Sequence, residues 1–491
     1  MGANQSAEKS AKANHNKGGL TFTVHNRHRQ DEVERSPRQL LPIEKLARRL
    51  EEITAKEESQ RGISPRVFQT RVFPAYPELA ERLLRSLRRT GGSTVAPLTA
   101  DELVEGAEKL MTILSDERQT EMYLRMYAEG EADLSKTAFQ QLVALAHAVA
   151  LDHYPDGPRC CRKTDHTLHA LANAAFHGKE SLSVGYLTHW IAENCPRLLL
   201  GLHRYVVHHL NTSYRTLDSP LGTLPQNEEE MDLGTPVLEN KGFAFATSAA
   251  EEREAGALPL SQVWLLAVSL PKVYTQPSVI HSPSAGSGLA SLDSQGIIAR
   301  WLGSVCPSHW TPLYNSDVHG LGANRFLNHV LNYRGPTLTL VRGEGGVEFC
   351  VGATDEWRET HLYWGAQDCI VLQTQPLFHV IERGAKLVYL NTSIRGYPLG
   401  VRAGCDPRKP SLSVNEAFTQ LEYKGIPYPL LSVEVWGCGT SHSREAQLEL
   451  KKWQVKQAER QRQVKLSAAD WVDHPDRYLL ELGGRTTYND P

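Results

Sequence analysis

The stretch WTPLYNSDVHGLGANRFLNHVLNYRGPTLTLV, residues Trp310–Val341, decides how the C-terminal half of the chain folds. Its first part, Trp310–Tyr314, is a short apolar segment that runs into a polar turn. Apolar side chains at helical spacing come next, and Arg334–Pro336 ends that pattern because glycine and proline interrupt helices. Thr337–Val341 then alternates as a strand with one buried face does. The stretch therefore predicts a strand, a turn, a helix, a second turn and a second strand.

Length and composition predict a globular protein of several domains. The chain has 491 residues, a formal net charge of −3 and 41% hydrophobic residues, which fits roughly two to four domains. This balance argues against nucleic-acid binding through bulk charge. Eight cysteines in so long a chain make no disulfide framework and are typical of a reducing compartment. The apolar run Val263–Leu270 is too short to span a bilayer, and no signal-peptide pattern is found.

The N-terminus carries a motif for lipidation. Its first residues fit N-myristoylation, in which Gly2 supplies the amine after loss of Met1 and Ser6 occupies the preferred position. One myristoyl chain binds membranes weakly, and a basic patch is the usual second signal. Residues 1–37 are therefore predicted to be a lipidated, basic and disordered N-terminus, and the alternative is an ordinary polar, disordered N-terminus. The basic residues that follow the motif are Lys9, Lys12, Lys17, Arg27 and Arg29.

Residues 38–214 predict a helical domain with an internal repeat. Four times, an apolar residue precedes Ser or Thr, and another apolar residue lies four positions after that hydroxyl; the leading residues are Ile63, Leu98, Leu134 and Leu182. An EF-hand has this pattern where its loop enters the second helix, so four copies predict two paired EF-hand-like units. Chance matches within a helical bundle are the alternative. The segments with helical spacing are Leu41–Ile53, Leu79–Leu87, Asp101–Leu114, Thr120–Tyr127, Ala138–Leu151, Leu168–Phe176 and Val184–Cys195.

The calcium ligands of these loops are degenerate. A calcium loop needs oxygen ligands at positions 1, 3 and 5, glycine at 6 and a glutamate at 12. The third copy has Tyr127 at position 1, Ala132 at 6 and Ala138 at 12, and the first copy has Lys56 at position 1. Among the four copies, the second alone offers a glutamate at position 12, Glu102. We therefore predict helix-pair scaffolds without calcium, and a calcium sensor remains a weaker hypothesis.

Residues 257–440 predict a sheet. Before them, residues 215–256 contain scattered prolines and the acidic run Glu228–Asp232, which is typical of a linker. Short strand candidates bounded by Gly, Pro, Asp or Asn then predict mostly antiparallel β-structure with a few helices, so the fold class is α+β. The candidates are Val347–Val351, Cys369–Leu372, Leu377–Ile381, Lys386–Leu390 and Leu430–Trp436.

Residues 441–491 predict a helical extension. Ser443–Leu466 is one helical stretch without Gly or Pro, with seven Lys or Arg against three Glu and a thin apolar stripe. A helix that can bury little of its surface needs a partner or stays solvated. The residues predicted to bind that partner are Lys451, Lys452, Trp453, Lys456 and Arg460.

Two places invite a catalytic interpretation. Ser316, Asp317 and His319 share one turn, whereas a catalytic triad needs members aimed at one another, normally from separate elements. We expect structural roles instead, with Asp317 capping the helix or binding the turn backbone, and His319 and Gly320 shaping the turn. Glu434 lies mid-strand, where an inward carboxylate would be desolvated and functional, and an outward one would be a surface residue. Alternation leaves both open.

Metal and nucleotide sites are not predicted. Zinc needs four convergent ligands, usually in two close pairs, and each cysteine–histidine cluster lacks a recognisable second pair. Phosphate-binding glycine motifs are missing as well, so we predict no metal and no cofactor. The clusters are Cys306 with His309, and Cys160 and Cys161 with His166, His169 and His177.

Residues 258–439 resemble the TLDc domain family. The likeness rests on the turn and strand of Trp310–Val341, on Val351-Gly352-Ala353 with Trp357, and on the terminal Glu-Val-Trp. One stretch departs from the family, which usually carries a Gly-rich loop where this chain has YPLGVRAGCDPRKPSLSVNEAF, residues 397–418. Whatever that loop recognises is therefore expected to differ here. The motif residues that the resemblance implies are Ser316, Asp317, His319, Gly320, Arg334, Gly335, Glu434 and Trp436.

The resemblance also implies a function. TLDc proteins include oxidation-resistance proteins and regulators of the vacuolar proton ATPase. Together with the lipidation motif and the extension, the likeness implies a non-enzymatic, myristoylated adaptor at the cytoplasmic face of lysosomal or endosomal membranes, and in the cytoplasm. Its expected partners are peripheral-sector subunits of the V-ATPase, the membrane surface and mTOR complex components, but no nucleic acid. The alternative is an oxidation-protective enzyme or hydrolase that uses Glu434 or His319.

Overall fold

The structure, a computed structural model, describes residues 41–91, 98–151, 163–217, 245–246, 258–275, 310–462 and residue 482. The predicted lipidation site, the acidic linker run, the pair Cys160 and Cys161, and the pair Cys306 and His309 lie outside these residues, so those predictions stay predictions. Within the described ranges, no helix has both the length and the apolar character needed to cross a membrane.

Helices build the first part of the chain, and each predicted helical segment overlaps one of them. Pro65–Val72 and Leu200–Thr212 are further helices that apolar spacing did not reveal. The first begins with a proline directly after a serine cap, which is a standard helix start. We call this part the helical region. Its helices are α1 Pro42–Glu57, α2 Pro65–Val72, α3 Pro77–Gly91, α4 Ala100–Met111, α5 Asp116–Tyr127, α6 Lys136–Leu151, α7 Thr164–Phe176, α8 Val184–Asn194 and α9 Leu200–Thr212.

The predicted repeat is confirmed by backbone pairing. Strand β1, Asp133–Ser135, pairs antiparallel with β2, Ser181–Ser183, and Leu134 lies opposite Leu182. The other two copies form the equivalent antiparallel bridge between Ile63 and Leu98. The hydroxyl after each of these residues accepts a backbone N–H of the following helix, at distances of 3.2 to 3.3 Å. The four copies are therefore joined in two pairs, as in EF-hand-like units.

The second part of the chain is a sheet with a few helices, which confirms the α+β class. We call residues 258–440 the sheet region. It adds helices α10 Leu260–Ser269, α11 Lys272–Thr275, α12 Ser316–His319 and α13 Ala323–Val330, and Ser441–Arg462 forms α14 after it. Strand β3, Phe245–Ala246, precedes this region and pairs with the region's first strand, β4 Leu258–Pro259. The other strands of the sheet region are β5 Thr311–Asn315, β6 Thr337–Gly343, β7 Val347–Ala353, β8 Ile370–Gln375, β9 His379–Arg383, β10 Val388–Asn391, β11 Gly400–Ala403, β12 Leu412–Val414, β13 Gln420–Tyr423 and β14 Ile426–Gly437.

The main sheet is antiparallel, in the order β10-β11-β12-β13-β14-β6-β7-β8-β9, with β5 also paired to β14. Strand β14 connects the two halves, because its first residues pair with β13 and its later residues pair with β5 and β6. Register shifts lie near Leu430 and between Val435 and Trp436, and such bulges bend a strand. Strands β11 and β12 fall in the segment that departs from the family pattern, and β13 follows that segment directly. None of the three was among the predicted strands.

The prediction that β6 has one buried face is wrong, because both faces are covered. Leu338 and Leu340 belong to a core cluster shared with the helical region. Val341 belongs to a second cluster within the sheet region. Since successive side chains of a strand point to opposite faces, the sheet lies between two apolar layers. The helical region supplies one of these layers, which the local sequence pattern of β6 cannot show.

Helix α10 lies at the contact between the two regions. All ten of its residues are buried, and Pro42–Pro491 forms one compact unit. The Thr167 hydroxyl lies 3.3 Å from that of Ser261, and the Phe378 N–H donates to the Ala170 carbonyl at 3.2 Å. Trp264 packs edge-on against His147 of α6, with ring centroids 5.1 Å apart. The helical and sheet regions therefore share one hydrophobic core.

His147 makes this core sensitive to acid. Burial lowers the pKa of His147 to about 4, whereas an unfolded histidine has a pKa near 6.5. Between these values the unfolded chain binds the proton and the folded chain does not, so stability present above about pH 6.5 is lost as the pH falls. We expect the free energy of unfolding to drop by about 2 kcal/mol between pH 7 and 5 through this residue.

Denaturant titrations at several pH values measure this effect. His147→Gln should make the pH dependence shallower but not abolish it, because burial also lowers the pKa of His203 to about 4. His442→Gln is the control, since that side chain is 88% exposed, and it should leave the slope unchanged. A slope identical in wild type and His147→Gln would contradict the assignment.

Candidate functional site

The turn after β5 brings together four of the predicted motif residues. Asn315 is the cap of the short helix α12, because its side-chain oxygen accepts the Asp317 N–H at 2.8 Å. The Ser316 hydroxyl accepts the N–H of Val433 on β14 at 3.0 Å. Gly320 has φ +82°, and its carbonyl accepts the Tyr314 hydroxyl at 2.8 Å. Of the two roles predicted for Asp317, capping is wrong: Asp317 donates its backbone N–H to the cap, and its side chain is exposed. Binding of the turn backbone by its side chain stays a prediction.

His319 contributes to the same turn through its ring. Its Nδ1 accepts the backbone N–H of Asn315 at 3.1 Å, and the ring stacks on that of His329 with centroids 3.9 Å apart. Burial, and then the neighbouring His319, lower the pKa of His329. Ser316 and His319 thus each bind a different backbone N–H, and the turn does not aim them at each other. Their geometry supports the expected structural role.

Glu434 points inward, which resolves the question left open by alternation. It is 2% exposed, and its Oε1 lies 2.5 Å from Nη1 of Arg342 on β6. Arg342 also donates through Nε to Glu348 at 2.7 Å, and Glu348 accepts the side-chain N–H of Gln262 from α10 at 2.8 Å. Burial opposes the charge on Arg342, but Glu348 and Glu434 outweigh it and raise its pKa above the usual value. The Glu434 carboxylate is therefore half of a buried ion pair.

The remaining motif residues lie where β6 begins and β14 ends. The Trp436 indole N–H donates to Oε2 of Glu434 at 3.3 Å. A Cβ on Gly335 would lie 3.2 Å from the backbone of Gly439, so a side chain there would have to push the two segments slightly apart. Arg334 makes an exposed pair with Glu356 at 3.6 Å. All but Arg334 help to hold β5, β6 and β14 together.

Helix α14 is bound to the sheet region by one buried glutamine. The Gln447 amide donates to the carbonyls of His329 and Leu331, at 3.0 and 2.9 Å. These carbonyls end α13, where the last turn of a helix lacks intrahelical donors. Arg444 donates in turn to the Gln447 side-chain oxygen. The start of α14 is thereby fixed in place.

The rest of α14 presents the residues predicted to bind a partner. Lys452, Trp453, Lys456 and Arg460 are exposed, and Trp453 shows 58% of its surface to solvent. Lys451 lies partly buried on the inner side, and its pKa is lowered by desolvation and by the nearby Arg444. The exposed face therefore combines an indole with positive charge.

An acidic residue of the EF-hand-like loops forms ion pairs within the helical region. Glu129, at position 3 of the third copy, pairs with Arg82 and Arg85 of α3 at 3.0 and 2.9 Å. In the part of the chain that the structure describes, no group of three or more His, Cys, Asp or Glu side chains is placed to hold a metal ion.

The site contains residues that sequence reasoning missed. Asn315 had a local signal, since asparagine before a short helical turn is a standard cap. Arg342, Glu348, Gln262 and Gln447 had none, because each depends on partners far away in the chain. Only the folded sheet shows that Arg342, Glu348 and Gln262 bind one another and that Gln447 binds the backbone carbonyls at the end of α13.

Comparison with known families agrees with this architecture. Residues 290–428 match the TLDc domain. The chain contains a TLDc domain. The match ends inside β14, and α10, the helical region and α14 lie outside it. The predicted boundary at residues 257–440 stays a prediction.

The curated relatives are fungal proteins called Restriction of telomere capping protein 5. That of Neurospora crassa is 24% identical over 247 residues, which cover 35% of this chain and 41% of the relative. That of Leptosphaeria maculans is 22% identical over 358 residues, 57% of this chain and 56% of the relative. That of Colletotrichum graminicola is 24% identical over 242 residues, 35% of this chain and 39% of the relative. The chain thus spans about half the length of these relatives or less.

Proposed function

We propose that this protein is a non-enzymatic, membrane-anchored adaptor that binds the peripheral sector of the vacuolar proton ATPase. The TLDc domain and α14 would form the binding surface, and the myristoylated Gly2 would hold the protein at the cytoplasmic face of lysosomal or endosomal membranes. A link to mTOR signalling would follow from that location. This function is supported by the TLDc match, the lipidation motif and the exposed face of α14.

The exposed face of α14 is the observation that carries the proposal. The helix begins on the TLDc domain through the buried Gln447, and its next turns leave Leu448, Trp453 and Val455 41% to 58% exposed. Exposed apolar and aromatic side chains among lysines are typical of a helix that docks into a partner. An acidic groove between subunits would match the charge of Lys452 and Lys456.

The enzyme alternative loses support at both of its residues. Glu434 is held by Arg342 and Trp436, and His319 accepts a backbone N–H of its own turn. A buried carboxylate that is fully paired serves stability more directly than catalysis. We therefore assign both residues to the scaffold of the TLDc domain.

Affinity purification from cells followed by mass spectrometry tests the proposed partner. Trp453→Asp with Lys456→Glu should reduce the recovered V-ATPase subunits about tenfold or more, because aromatic residues dominate interfaces. The matched control is Leu114→Asp with Lys179→Glu, which changes an 88% exposed leucine and an exposed lysine in the helical region. Equal recovery from wild type, helix variant and control would remove α14 from the binding surface.

The membrane anchor has its own test. Gly2→Ala removes the acylated amine, so the protein should move from the membrane fraction to the soluble fraction of a cell lysate. Mass spectrometry of the wild-type N-terminal peptide checks the modification directly. An unmodified peptide, or a Gly2→Ala protein that stays with lysosomal membranes, would contradict the anchor.

A further inference from the structure

A basic cavity lies on the half of the sheet formed by β11, β12 and β13. Its volume is about 640 Å³. Arg402, Ser413 and Glu422 line it and lie opposite one another in register on the three strands, so they form a row on one face of the sheet. The loop after β11 and the turn after β13 line the rest through Arg408, Lys409, Pro410, Ser411, Lys424 and Gly425.

The loop that lines this cavity is held in one shape. Asp406 accepts the Arg408 N–H at 2.9 Å, and the Lys409 N–H donates to the Asp406 carbonyl at 3.2 Å. Glu382 of β9 accepts the Ser411 hydroxyl and the Cys405 N–H. A Cβ on Gly404 would lie 2.6 Å from the Ser411 nitrogen, so the loop ends approach more closely than a side chain permits. Because Asp406 and Glu382 hold the loop in place, its cationic side chains extend from a backbone of fixed shape.

The cavity carries an excess of positive charge. Four cations, Arg402, Arg408, Lys409 and Lys424, line it against the single carboxylate of Glu422. The Nε of Arg402 is buried without a well-formed hydrogen bond in the described residues, although buried polar groups are normally satisfied. The same guanidinium also lies beside the Tyr363 hydroxyl. Arg408 and Lys409 are exposed at the rim. Guanidinium and ammonium groups that converge on one cavity suit a phosphorylated ligand, which binds Arg in a bidentate manner.

We propose that this cavity binds the phosphorylated headgroup of a phosphoinositide in the membrane surface. A volume of 640 Å³ exceeds what one phosphate needs and suits a ring that carries several phosphates. Arg402 lies at the floor, and Arg408, Lys409 and Lys424 contact the phosphates from the rim. The site is formed by the departing segment at residues 397–418 and the following hairpin, and it is independent of pump binding by α14.

The rim favours a lipid over a phosphorylated peptide. Arg408, Lys409 and Lys424 are all exposed, so they can meet an anionic surface together. Ile426, directly after the hairpin turn, is 55% exposed, and an apolar residue beside cations suits the interface of a bilayer. A second membrane contact would also strengthen the weak binding of one myristoyl chain.

Vesicle binding by the purified, unacylated full chain tests the site without its lipid anchor. We expect stronger sedimentation with phosphatidylcholine vesicles containing phosphatidylinositol bisphosphate than with phosphatidylserine vesicles of equal total charge. Arg408→Gln with Lys409→Gln should weaken that binding roughly thirtyfold, since each basic residue contributes about fivefold. Lys179→Gln with Arg395→Gln, two exposed cations outside the cavity, is the charge-matched control and should bind as wild type does.

Competition distinguishes the sources of the phosphate. Soluble inositol trisphosphate should displace the wild type from the vesicles, because the headgroup carries the specificity. Equal binding to both vesicle types, or an equal loss in the control variant, would overturn the proposal in favour of bulk charge. Binding of a phosphoserine peptide without binding of phosphoinositide vesicles would overturn it in favour of a protein ligand.

Discussion

Replacing Arg342 by methionine is expected to lower the free energy of unfolding by about 4 kcal/mol, because removing one partner of a buried ion pair leaves the other charge uncompensated. Here two carboxylates would lose their cation, since Arg342 binds both Glu348 and Glu434. Glu434 is 2% exposed, and among the described residues its further side-chain partner is the Trp436 indole at 3.3 Å. Methionine has a similar reach but supplies no charge. Denaturant unfolding monitored by circular dichroism measures the change.

Arg334→Met is the control for this experiment. It removes the same kind of side chain from an exposed pair, whose side chains are 77% and 38% exposed. Exposed pairs contribute less than about 1 kcal/mol, so the control should unfold close to wild type. Similar losses from both variants would show that the buried network is not what stabilises the sheet.

Replacing Trp264 by alanine should have the second large effect. Trp264 is 1% exposed in the core shared by the two regions, and truncating a buried tryptophan costs roughly 3–5 kcal/mol. Because α10 contacts both regions, we expect the helical region and the TLDc domain to unfold together at a lower denaturant concentration. Circular dichroism at helix and strand wavelengths measures both parts of the structure.

Trp453→Ala provides the comparison, because it removes the same side chain from an exposed position. Surface substitutions usually stay within about 0.5 kcal/mol, so its unfolding curve should overlay that of wild type. If Trp264→Ala moved only one of two separate transitions, the two regions would be independent and the shared core would be wrong.

Local patterns predicted a large part of the fold. Apolar spacing revealed the amphipathic helices, and the repeated pairs beginning at Ile63, Leu98, Leu134 and Leu182 predicted two paired EF-hand-like units. These signals work because a helix face or an EF-hand loop is encoded within a few neighbouring residues. The α+β class followed from the short strands bounded by turn residues.

The remainder depends on contacts between distant segments. The pattern of β6 suggested one buried face, since nothing near it in the chain shows that the helical region covers the other. Strands β11 to β13 are three or four residues long, which is too short to show the alternation of apolar and polar side chains that predicts a strand. Glu434 was ambiguous until Arg342 was placed beside it. The motif within Trp310–Val341 forms part of the scaffold. The surfaces proposed to bind partners lie instead on α14 and on the segment at residues 397–418, which departs from the family pattern.

Binding of the purified chain to the purified peripheral sector of the V-ATPase tests the central claim most directly. Biolayer interferometry would compare wild type, Trp453→Asp with Lys456→Glu, and the control Leu114→Asp with Lys179→Glu. The proposed function predicts saturable binding of wild type and control, and an affinity at least about thirtyfold lower for the helix variant, the loss typical of a central aromatic contact. Failure of the wild type to bind, or equal affinities for all three proteins, would contradict it.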